Sequence, residues 1–156
     1  MRRTADVLAD ACDYVAGRPV TIATENTLGA DGNLQLLAGA GRPDLRVLLD
    51  TQNPALWGHP VAAMIDALWP YLADQVHAKD GRNGEMGNTL LGEGEASFLE
   101  SAGALRDLGF AGAVISENDY HGERSHLAAR DIQVMTQVFG ADDSSRPSTA
   151  SRPAGE

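Results

Sequence analysis

Apolar residues follow two alternating patterns along the chain, one with helical spacing and one made of short continuous runs. Near the start, apolar side chains recur every three or four residues until Gly17, which predicts a helix. Short runs rich in branched aliphatic residues predict strands at residues 19–24, 45–49, 71–76 and 110–116. A helical pattern follows each run, beginning near residues 33, 60, 97 and 125. The predicted order is one helix followed by four strand–helix pairs.

This alternation determines the predicted fold class. Strands that alternate with helices form a parallel sheet covered by helices, and the nearly continuous apolar runs suit strands buried on both faces. Ser97 and Glu100 fit a capping box at the start of a helix, which is expected to bury Leu99. Ile132 is expected on the inner side of the last helix. We therefore expect an α/β protein with a parallel sheet.

Two segments depart from the alternation. Residues 81–94 are rich in glycine and polar side chains, which predicts a long loop. Residues 141–156 contain no apolar side chain beyond alanine and proline, which predicts a disordered tail. The folded domain is therefore expected to span residues 1–140, followed by the tail at 141–156.

Composition narrows the class of protein. The chain has 156 residues, 22 acidic and 12 basic, and this net charge of −10 disfavours a nucleic-acid partner. A single cysteine excludes an intrachain disulfide, and no apolar run approaches the ~20 residues of a membrane span. Acidic residues stand where a signal peptide needs its apolar stretch, so a cytoplasmic globular protein without a membrane partner is expected.

A strongly polar residue ends each of the predicted strands. These residues are Glu25, Asp50, His77 and Glu117. Because parallel strands end at one edge of a sheet, where α/β proteins build their sites, we expect the side chains to converge there. Three carboxylates and an imidazole suit Mn²⁺, Mg²⁺ or Co²⁺ better than structural zinc. The alternative is that each is an ordinary solvated residue at a strand end.

Several short motifs near these residues resemble one family of enzymes. In chain order they are TEN (24–26), LLDTQN (48–53), QVHAKDG (75–81), LGEGEASF (91–98) and ISEND (115–119). Their order and spacing over about residues 4–139 resemble the xylose-isomerase-like TIM-barrel superfamily. This group includes sugar and sugar-phosphate isomerases and epimerases, inosose dehydratases and type-four AP endonucleases. The resemblance implies a (β/α) barrel, with the chain matching its second half of about four βα units.

The resemblance also implies roles for the strand-end residues. In isomerase and epimerase members, equivalents of Glu25, Asp50, His77 and Glu117 hold one divalent metal ion, so Mn, Mg or Co is the implied cofactor. The two glutamates, Glu25 and Glu117, are the implied catalytic acid–base pair. Such enzymes remove a proton beside the carbonyl of a ketose through an enediolate, and carboxylates on opposite faces suit its removal and return. The implied activity is therefore that of a metal-dependent sugar or sugar-phosphate isomerase or epimerase.

Three further residues are candidates for contact with substrate. Lys79 follows His77 by two positions and is expected on the same side of the strand, although an ion pair with Asp80 is an alternative. Arg82 matches a region where epimerase members place a substrate-binding arginine. Asn53 stands where many members have a histidine, and its amide could bind a substrate hydroxyl. The absence of that histidine, like the acidic charge, disfavours the endonucleases.

The length of the chain leaves the assembly open. A complete barrel needs eight strands in roughly 250 residues, whereas this chain provides four. There are three alternatives. The chain is a fragment, or it is a half-barrel that pairs with itself as a homodimer or with a separate N-terminal half, or it is a reduced, non-catalytic remnant. A small-molecule sugar or sugar phosphate is the expected partner of an active form. A non-catalytic half-barrel that binds a partner chain and an inosose-type dehydratase are the rival functions.

Overall fold

Four parallel strands form a single sheet in chain order, and these strands position the candidate site. The computed structural model describes residues 1–140, so the tail predicted at 141–156 lies outside the described residues. The strands are β1 (Ala23–Thr24), β2 (Arg46–Asp50), β3 (Leu72–Ala78) and β4 (Ala113–Ser116). Asp50 pairs with His77 across β2 and β3, and His77 pairs with Ile115 across β3 and β4. The parallel α/β architecture predicted from the alternation is therefore confirmed.

Within the described residues, five helices accompany the strands. They are α1 (Arg2–Val15), α2 (Ala30–Ala40), α3 (Val61–Leu68), α4 (Phe98–Asp107) and α5 (Leu127–Phe139). Short 3₁₀ helices lie at Ala55–Trp57, Trp69–Tyr71 and Gly122–His126. Within residues 1–140, none of the helices has the length and apolar character needed to cross a membrane.

The core lies between the sheet and the helices. Alternate residues of the central strands, including Val47, Leu49 and Val76, are buried against Ile65 and Leu68 of α3. A second buried cluster joins the end of β3 to α4. This packing leaves the other set of strand residues, which includes Gln75 and His77, on the opposite face of the sheet.

Some boundaries and contacts differ from the prediction. The third strand was predicted to end at His77, but β3 extends one residue further, because Ala78 pairs with Ser116 of β4. Ser97 precedes α4 as predicted, but its φ of 54° is left-handed and its side chain makes no capping hydrogen bond, so the capping box is wrong. Leu99 and Ile132 are more than half exposed rather than buried. In both cases a residue at the margin of the apolar face of a helix was predicted to point toward the core.

The long connection between β3 and α4 is organised by one buried carboxylate. Asp80 is completely buried, and its Oδ1 accepts hydrogen bonds from the backbone N–H groups of Gly81 and Ala96 at 3.0 and 3.1 Å. Its Oδ2 accepts from Gly92 and Gly94 at 2.9 and 3.1 Å. The predicted loop at 81–94 therefore has a defined conformation, in which backbone N–H groups donate hydrogen bonds to a buried carboxylate.

Two further buried side chains fasten this loop to its neighbours. Gln52 donates from Nε2 to the carbonyl of Glu85 at 2.7 Å and accepts from the N–H of Gly87 at 2.8 Å. Asn118 accepts from the N–H of Asp80 at 2.9 Å and donates to Asp131 Oδ2 at 2.7 Å. The loop is thus linked both to the end of β2 and to α5.

Tyr120 provides a test of this buried network at high pH. Its hydroxyl donates to Asp131 Oδ2 at 2.7 Å, and burial, with the nearby carboxylate, raises its pKa to about 12. Because the folded pKa lies above the ordinary value of about 10, the stabilisation is complete below pH ~10 and is lost as pH rises toward the folded pKa. We expect an ultraviolet titration to show a late phenolate step near pH 12.

A matched pair of variants assigns that step. Tyr120→Phe should remove the late step, whereas Tyr14→Phe, which alters a residue that is 74% exposed, should leave it in place. A late step that survives in Tyr120→Phe would contradict the assignment.

Candidate metal centre

The four polar residues at the strand ends meet at one point. One ligand atom from each of Glu25, Asp50, His77 and Glu117 lies within 4.8 Å of all the others. Glu25 directly follows β1, Asp50 ends β2, His77 is the penultimate residue of β3 and Glu117 directly follows β4. Because the strands are parallel and adjacent in chain order, their carboxyl ends lie side by side and bring these distant residues together.

The imidazole of His77 lies between the two glutamates. Its Nδ1 is 3.3 Å from Glu25 Oε2 and 3.5 Å from Glu117 Oε1. This nitrogen is buried and has no hydrogen-bond partner. Buried polar atoms in folded proteins normally have partners, so an unpaired nitrogen that faces two carboxylates is an observation that favours a bound cation.

Asp50 is held so that one of its oxygens faces the same point. Its side chain is buried, and Oδ1 accepts from the backbone N–H groups of Gln52 and Asn53 at 2.7 and 2.6 Å. Its Oδ2 has no partner with hydrogen-bond geometry, although Lys79 Nζ lies 3.1 Å away as an ion pair. The turn after β2 therefore fixes one oxygen and leaves the other as a potential ligand.

Lys79 supplies the positive charge beside the cluster. Its Nζ lies 2.5 Å from Glu117 Oε2, 3.1 Å from Asp50 Oδ2 and 3.4 Å from Asn53 Oδ1. Burial alone would lower the pKa of Lys79, but the hydrogen bonds and charges of Glu117 and Asp50 outweigh burial and raise it. The ammonium is therefore charged, and its partners are three oxygens of neighbouring side chains.

Glu117 is kept ionised by the same contact. Partial burial acts to raise its pKa, but the hydrogen bond and charge of Lys79, with the charge of His77, outweigh burial and lower it. Glu25 is held differently, because its Oε1 accepts a hydrogen bond from Asn53 Nδ2 at 2.8 Å. Each glutamate thus has one oxygen held by a neighbour and the other directed toward His77.

The charge and chemistry of this cluster fit a divalent metal ion. Three carboxylates and one ammonium leave two negative charges when His77 is neutral, and a divalent cation would neutralise them. Carboxylate oxygens with one imidazole are ligands for Mn²⁺, Mg²⁺, Co²⁺ or a catalytic Zn²⁺ ion. The cluster of Glu25, Asp50, His77 and Glu117 could therefore bind a metal.

The structure separates the three candidates for substrate contact. Asn53 and Lys79 lie at the cluster, where each touches at least one of its carboxylates. Arg82 lies on the loop, where its Nε donates to the carbonyl of Glu93 at 2.5 Å and its backbone N–H donates to Asn88. The alternative ion pair between Lys79 and Asp80 is wrong, because the Asp80 carboxylate is used by backbone N–H groups.

Sequence reasoning missed the residues that support the cluster. Gln75 has its Nε2 3.1 Å from His77 Nε2, and Gln52 holds the loop that follows β3. The two-residue spacing of Gln75 and His77 on a strand was a usable signal, since alternate residues share a face. Gln52 and Asp80 gave no such signal, because their partners are backbone groups, most of them more than ten residues away.

Replacing Asp50 with asparagine should isolate the contribution of one ligand oxygen. Asparagine keeps an oxygen for the two backbone N–H groups and replaces the oxygen that faces the cluster. We expect Mn²⁺ affinity, measured by calorimetry, to fall by more than the roughly 100-fold that loss of an outer-shell partner causes. Asp66→Asn, on the exposed side of α3, is the control and should bind like the wild type. Equal affinity in Asp50→Asn would exclude Asp50 as a ligand.

The chain is similar in sequence to a known protein family and to a curated enzyme. A family model described as a xylose isomerase-like TIM barrel matches residues 1–138. The 2-epi-5-epi-valiolone 7-phosphate 2-epimerase of an Actinoplanes species is 37% identical over 126 residues. The match covers 78% of this chain and 47% of that enzyme, so the chain spans about half the length of the curated relative.

Solved structures show the same architecture. A D-allulose 3-epimerase from a Methylomonas species superimposes with a TM-score of 0.71 at 18% identity, over 86% of this chain and 54% of that one. An IolI protein with a bound zinc atom gives a TM-score of 0.69 at 18% identity, over 89% and 56%. At this identity the likeness concerns the fold, of which the chain again covers about half.

Proposed function

Because the chain belongs to the xylose-isomerase-like TIM-barrel family, we propose that it carries the metal site and the acid–base pair of a sugar or sugar-phosphate epimerase or isomerase. The observation that carries the proposal is the meeting of Glu25, Asp50, His77 and Glu117 within 4.8 Å at the carboxyl edge of the sheet. The name of the Actinoplanes relative, which is a 7-phosphate 2-epimerase, favours a phosphorylated cyclic polyhydroxy ketone as substrate.

The proposed metal ion would be held by the same four residues. A divalent cation bound there would polarise the substrate carbonyl and stabilise the negative charge that develops when the neighbouring proton leaves. Lys79 would keep Asp50 and Glu117 oriented toward the centre through its two short ion pairs. Asn53 would keep Glu25 in place through its hydrogen bond to Oε1.

The two glutamates are proposed to move protons. Their side chains are 28% and 43% exposed, so both Glu25 and Glu117 can exchange protons with water. They follow the first and last strands of the sheet, and a substrate at the centre would lie between them. In the proposed reaction one carboxylate removes the proton beside the carbonyl, and the other carboxyl group returns a proton to the opposite face. The hydrogen bond and charge of Lys79 lower the pKa of Glu117 and keep this carboxylate ionised, as a base must be.

Arg82 is proposed to contact the substrate from the loop. Its side chain is exposed, and its Nε is held by the carbonyl of Glu93. The remaining guanidinium nitrogens suit a phosphate group, which arginine binds through paired hydrogen bonds. Lys79 is a weaker candidate for that task, because its ammonium already has three oxygen partners.

The active form is proposed to contain four further strands. The described sheet ends at β1 and β4, whereas a closed barrel has eight strands. A second copy of the chain or a separate N-terminal half could supply them, and native mass spectrometry distinguishes a dimer from a monomer. A complex with a second chain that turns over no ketose would favour the alternative, a non-catalytic half-barrel that binds a partner chain, whereas a stable, inactive monomer would count against both pairing and catalysis.

The proposed function is tested by exchange of the substrate proton with solvent. The protein is incubated with Mn²⁺ in deuterated water and with phosphorylated or unphosphorylated ketoses and cyclic polyhydroxy ketones. We expect deuterium at the carbon beside the carbonyl, with formation of the epimer or isomer and a preference for the phosphorylated compounds. Loss of water from the substrate would instead indicate an inosose-type dehydratase. A dimeric or reconstituted protein that binds Mn²⁺ but exchanges no proton would contradict the proposal.

A further inference from the structure

Each of the two glutamates at the candidate centre is followed by an asparagine. Glu25 and Asn26 directly follow β1, and Glu117 and Asn118 directly follow β4. Successive side chains of an extended chain point to opposite sides. An asparagine side chain that is fixed on the helix side of the sheet therefore turns the glutamate before it to the other side, where the centre lies.

Asn118 is fixed by three hydrogen bonds. Its side chain is buried, and its Oδ1 accepts from the backbone N–H of Asp80 at 2.9 Å. Its Nδ2 donates to the carbonyl of Thr89 at 2.9 Å and to Asp131 Oδ2 at 2.7 Å. The backbone partners distinguish the two ends of the amide, because an N–H can only donate and a carbonyl can only accept. Asn118 is thus attached both to the loop after β3 and to α5.

Asn26 is fixed in a comparable way at the other end of the sheet. Its Nδ2 donates to Asn33 Oδ1 at 2.9 Å and to Thr24 Oγ1 at 3.3 Å. Its Oδ1 accepts from the backbone N–H of Leu28 at 2.8 Å. Asn33 lies on α2 and is 2% exposed, and Thr24 is also buried, so the side chain of Asn26 is attached on the helix side.

The glutamates depend on this attachment more than Asp50 does. The carboxylate of Asp50 accepts hydrogen bonds from two backbone N–H groups of the turn that follows it. The carboxylates of Glu25 and Glu117 contact side chains instead, those of Asn53 and Lys79 respectively. A glutamate side chain also has one more rotatable bond than an aspartate side chain. Its backbone must therefore be placed accurately for its carboxylate to reach the cluster.

We propose that Asn26 and Asn118 are positioning residues, each of which directs the glutamate before it toward the candidate centre. Asn118 acts on Glu117 through the backbone that joins them, and Asn26 acts on Glu25 in the same way. Loss of one asparagine should displace one glutamate and leave the other in place. The effect on metal binding rests on the proposed metal centre, whereas the direction of the two carboxylates does not depend on a bound ion.

Crystal structures of Asn26→Ala and Asn118→Ala test the direction of the carboxylates without a metal ion. In Asn118→Ala we expect Glu117 to lose its contact with Lys79 Nζ, whereas Glu25 should stay in place. In Asn26→Ala, Glu25 should move and Glu117 should stay. Asn26→Ser and Asn118→Ser, which shorten the side chain and keep a hydroxyl, replace the alanine variants if those do not fold. A Glu117 carboxylate that stays beside Lys79 in Asn118→Ala would overturn the inference.

Calorimetry of Mn²⁺ binding tests the same inference through double-mutant cycles. Alone, Asn118→Ala should weaken Mn²⁺ binding by roughly 10–100-fold, as loss of an outer-shell partner does. Added to Glu117→Gln, it should cause little further loss, because the residue through which it acts has already been changed. Added to Glu25→Gln, it should cause the full loss. Asn26→Ala should show the reverse pattern.

A core variant controls for loss of stability. Ile65 of α3 is completely buried in the hydrophobic core, and Ile65→Val should lower the melting temperature but bind Mn²⁺ like the wild type. If Asn118→Ala causes the same loss of affinity in both glutamine backgrounds, the asparagine is merely structural and the inference is overturned. If the wild type binds no Mn²⁺, the proposed metal centre fails, while the crystal structures still decide the inference.

Discussion

Glu25→Gln and Glu117→Gln are each expected to lower the rate of the proposed epimerisation by about 10²–10⁴-fold, the range that a general acid or base contributes. The reason is that each substitution removes one member of a pair on opposite sides of the candidate centre. The variant that retains the base facing the substrate proton should still exchange that proton with deuterated water. Measurement of deuterium exchange and of product formation, started from each of the two epimers in turn, tests this directly.

Because both glutamates are also candidate ligands, loss of metal must be separated from loss of the acid–base group. The measurements are therefore made at saturating Mn²⁺, with Asp50→Asn as the matched variant that removes a ligand oxygen and no proposed acid or base. High Mn²⁺ should restore activity to Asp50→Asn far more than to either glutamine variant. If the glutamine variants recover equally at high Mn²⁺, Glu25 and Glu117 serve as ligands without the proposed proton transfer.

The elements of the fold were largely predictable because their signals are local. Helical spacing and short apolar runs predict the order of five helices and four strands, and the structure has that order. The ends of strands are less local, since backbone pairing sets them. The third strand was predicted to end at His77, yet pairing of Ala78 with Ser116 of β4 extends it by one residue. Strand ends therefore depend on neighbours that sequence periodicity does not describe.

The candidate ligands were predictable from topology rather than from chemistry alone. Glu25, Asp50, His77 and Glu117 are far apart in the chain, but a parallel sheet in chain order can only bring their strand ends to one edge. The contacts of Lys79 were harder to predict, because Asp80, the next residue in the sequence, was an alternative ion-pair partner. The chain after β3 directs the two side chains to different surroundings, one to the cluster and one into the loop.

Neighbours of the ligands escaped prediction for a physical reason. Gln52 and Asp80 bind backbone N–H and carbonyl groups, which are present at nearly every residue and leave no trace in the side-chain pattern. The sequence of a glycine-rich loop does not show whether hydrogen bonds to the rest of the protein fix its conformation. At Gly94 a side chain would meet Asp80 Oδ1 directly, so this glycine marks close approach to the carboxylate rather than freedom of the loop.

Asp80→Ala is expected to destabilise the folded protein more than any other substitution proposed for this chain. The substitution leaves the backbone N–H groups of Gly81, Gly92, Gly94 and Ala96 without their acceptor. Gly81 and Ala96 are buried, and a buried donor without a partner costs about 1–3 kcal/mol, so the free energy of unfolding should fall by about 2–6 kcal/mol. For a chain of this size, that corresponds to a melting temperature lower by roughly 10 °C.

Calorimetric melting of Asp80→Ala and Asp66→Ala measures the effect against a matched control. Asp66 lies on the exposed side of α3, where loss of a carboxylate should change stability by no more than about 0.5 kcal/mol. Hydrogen exchange locates the change, because the amides of Gly92, Gly94 and Ala96 should lose protection first. An Asp80→Ala protein that melts with the control would mean that water or other groups satisfy those amides. The buried carboxylate would then not be what holds the loop beside the candidate metal centre.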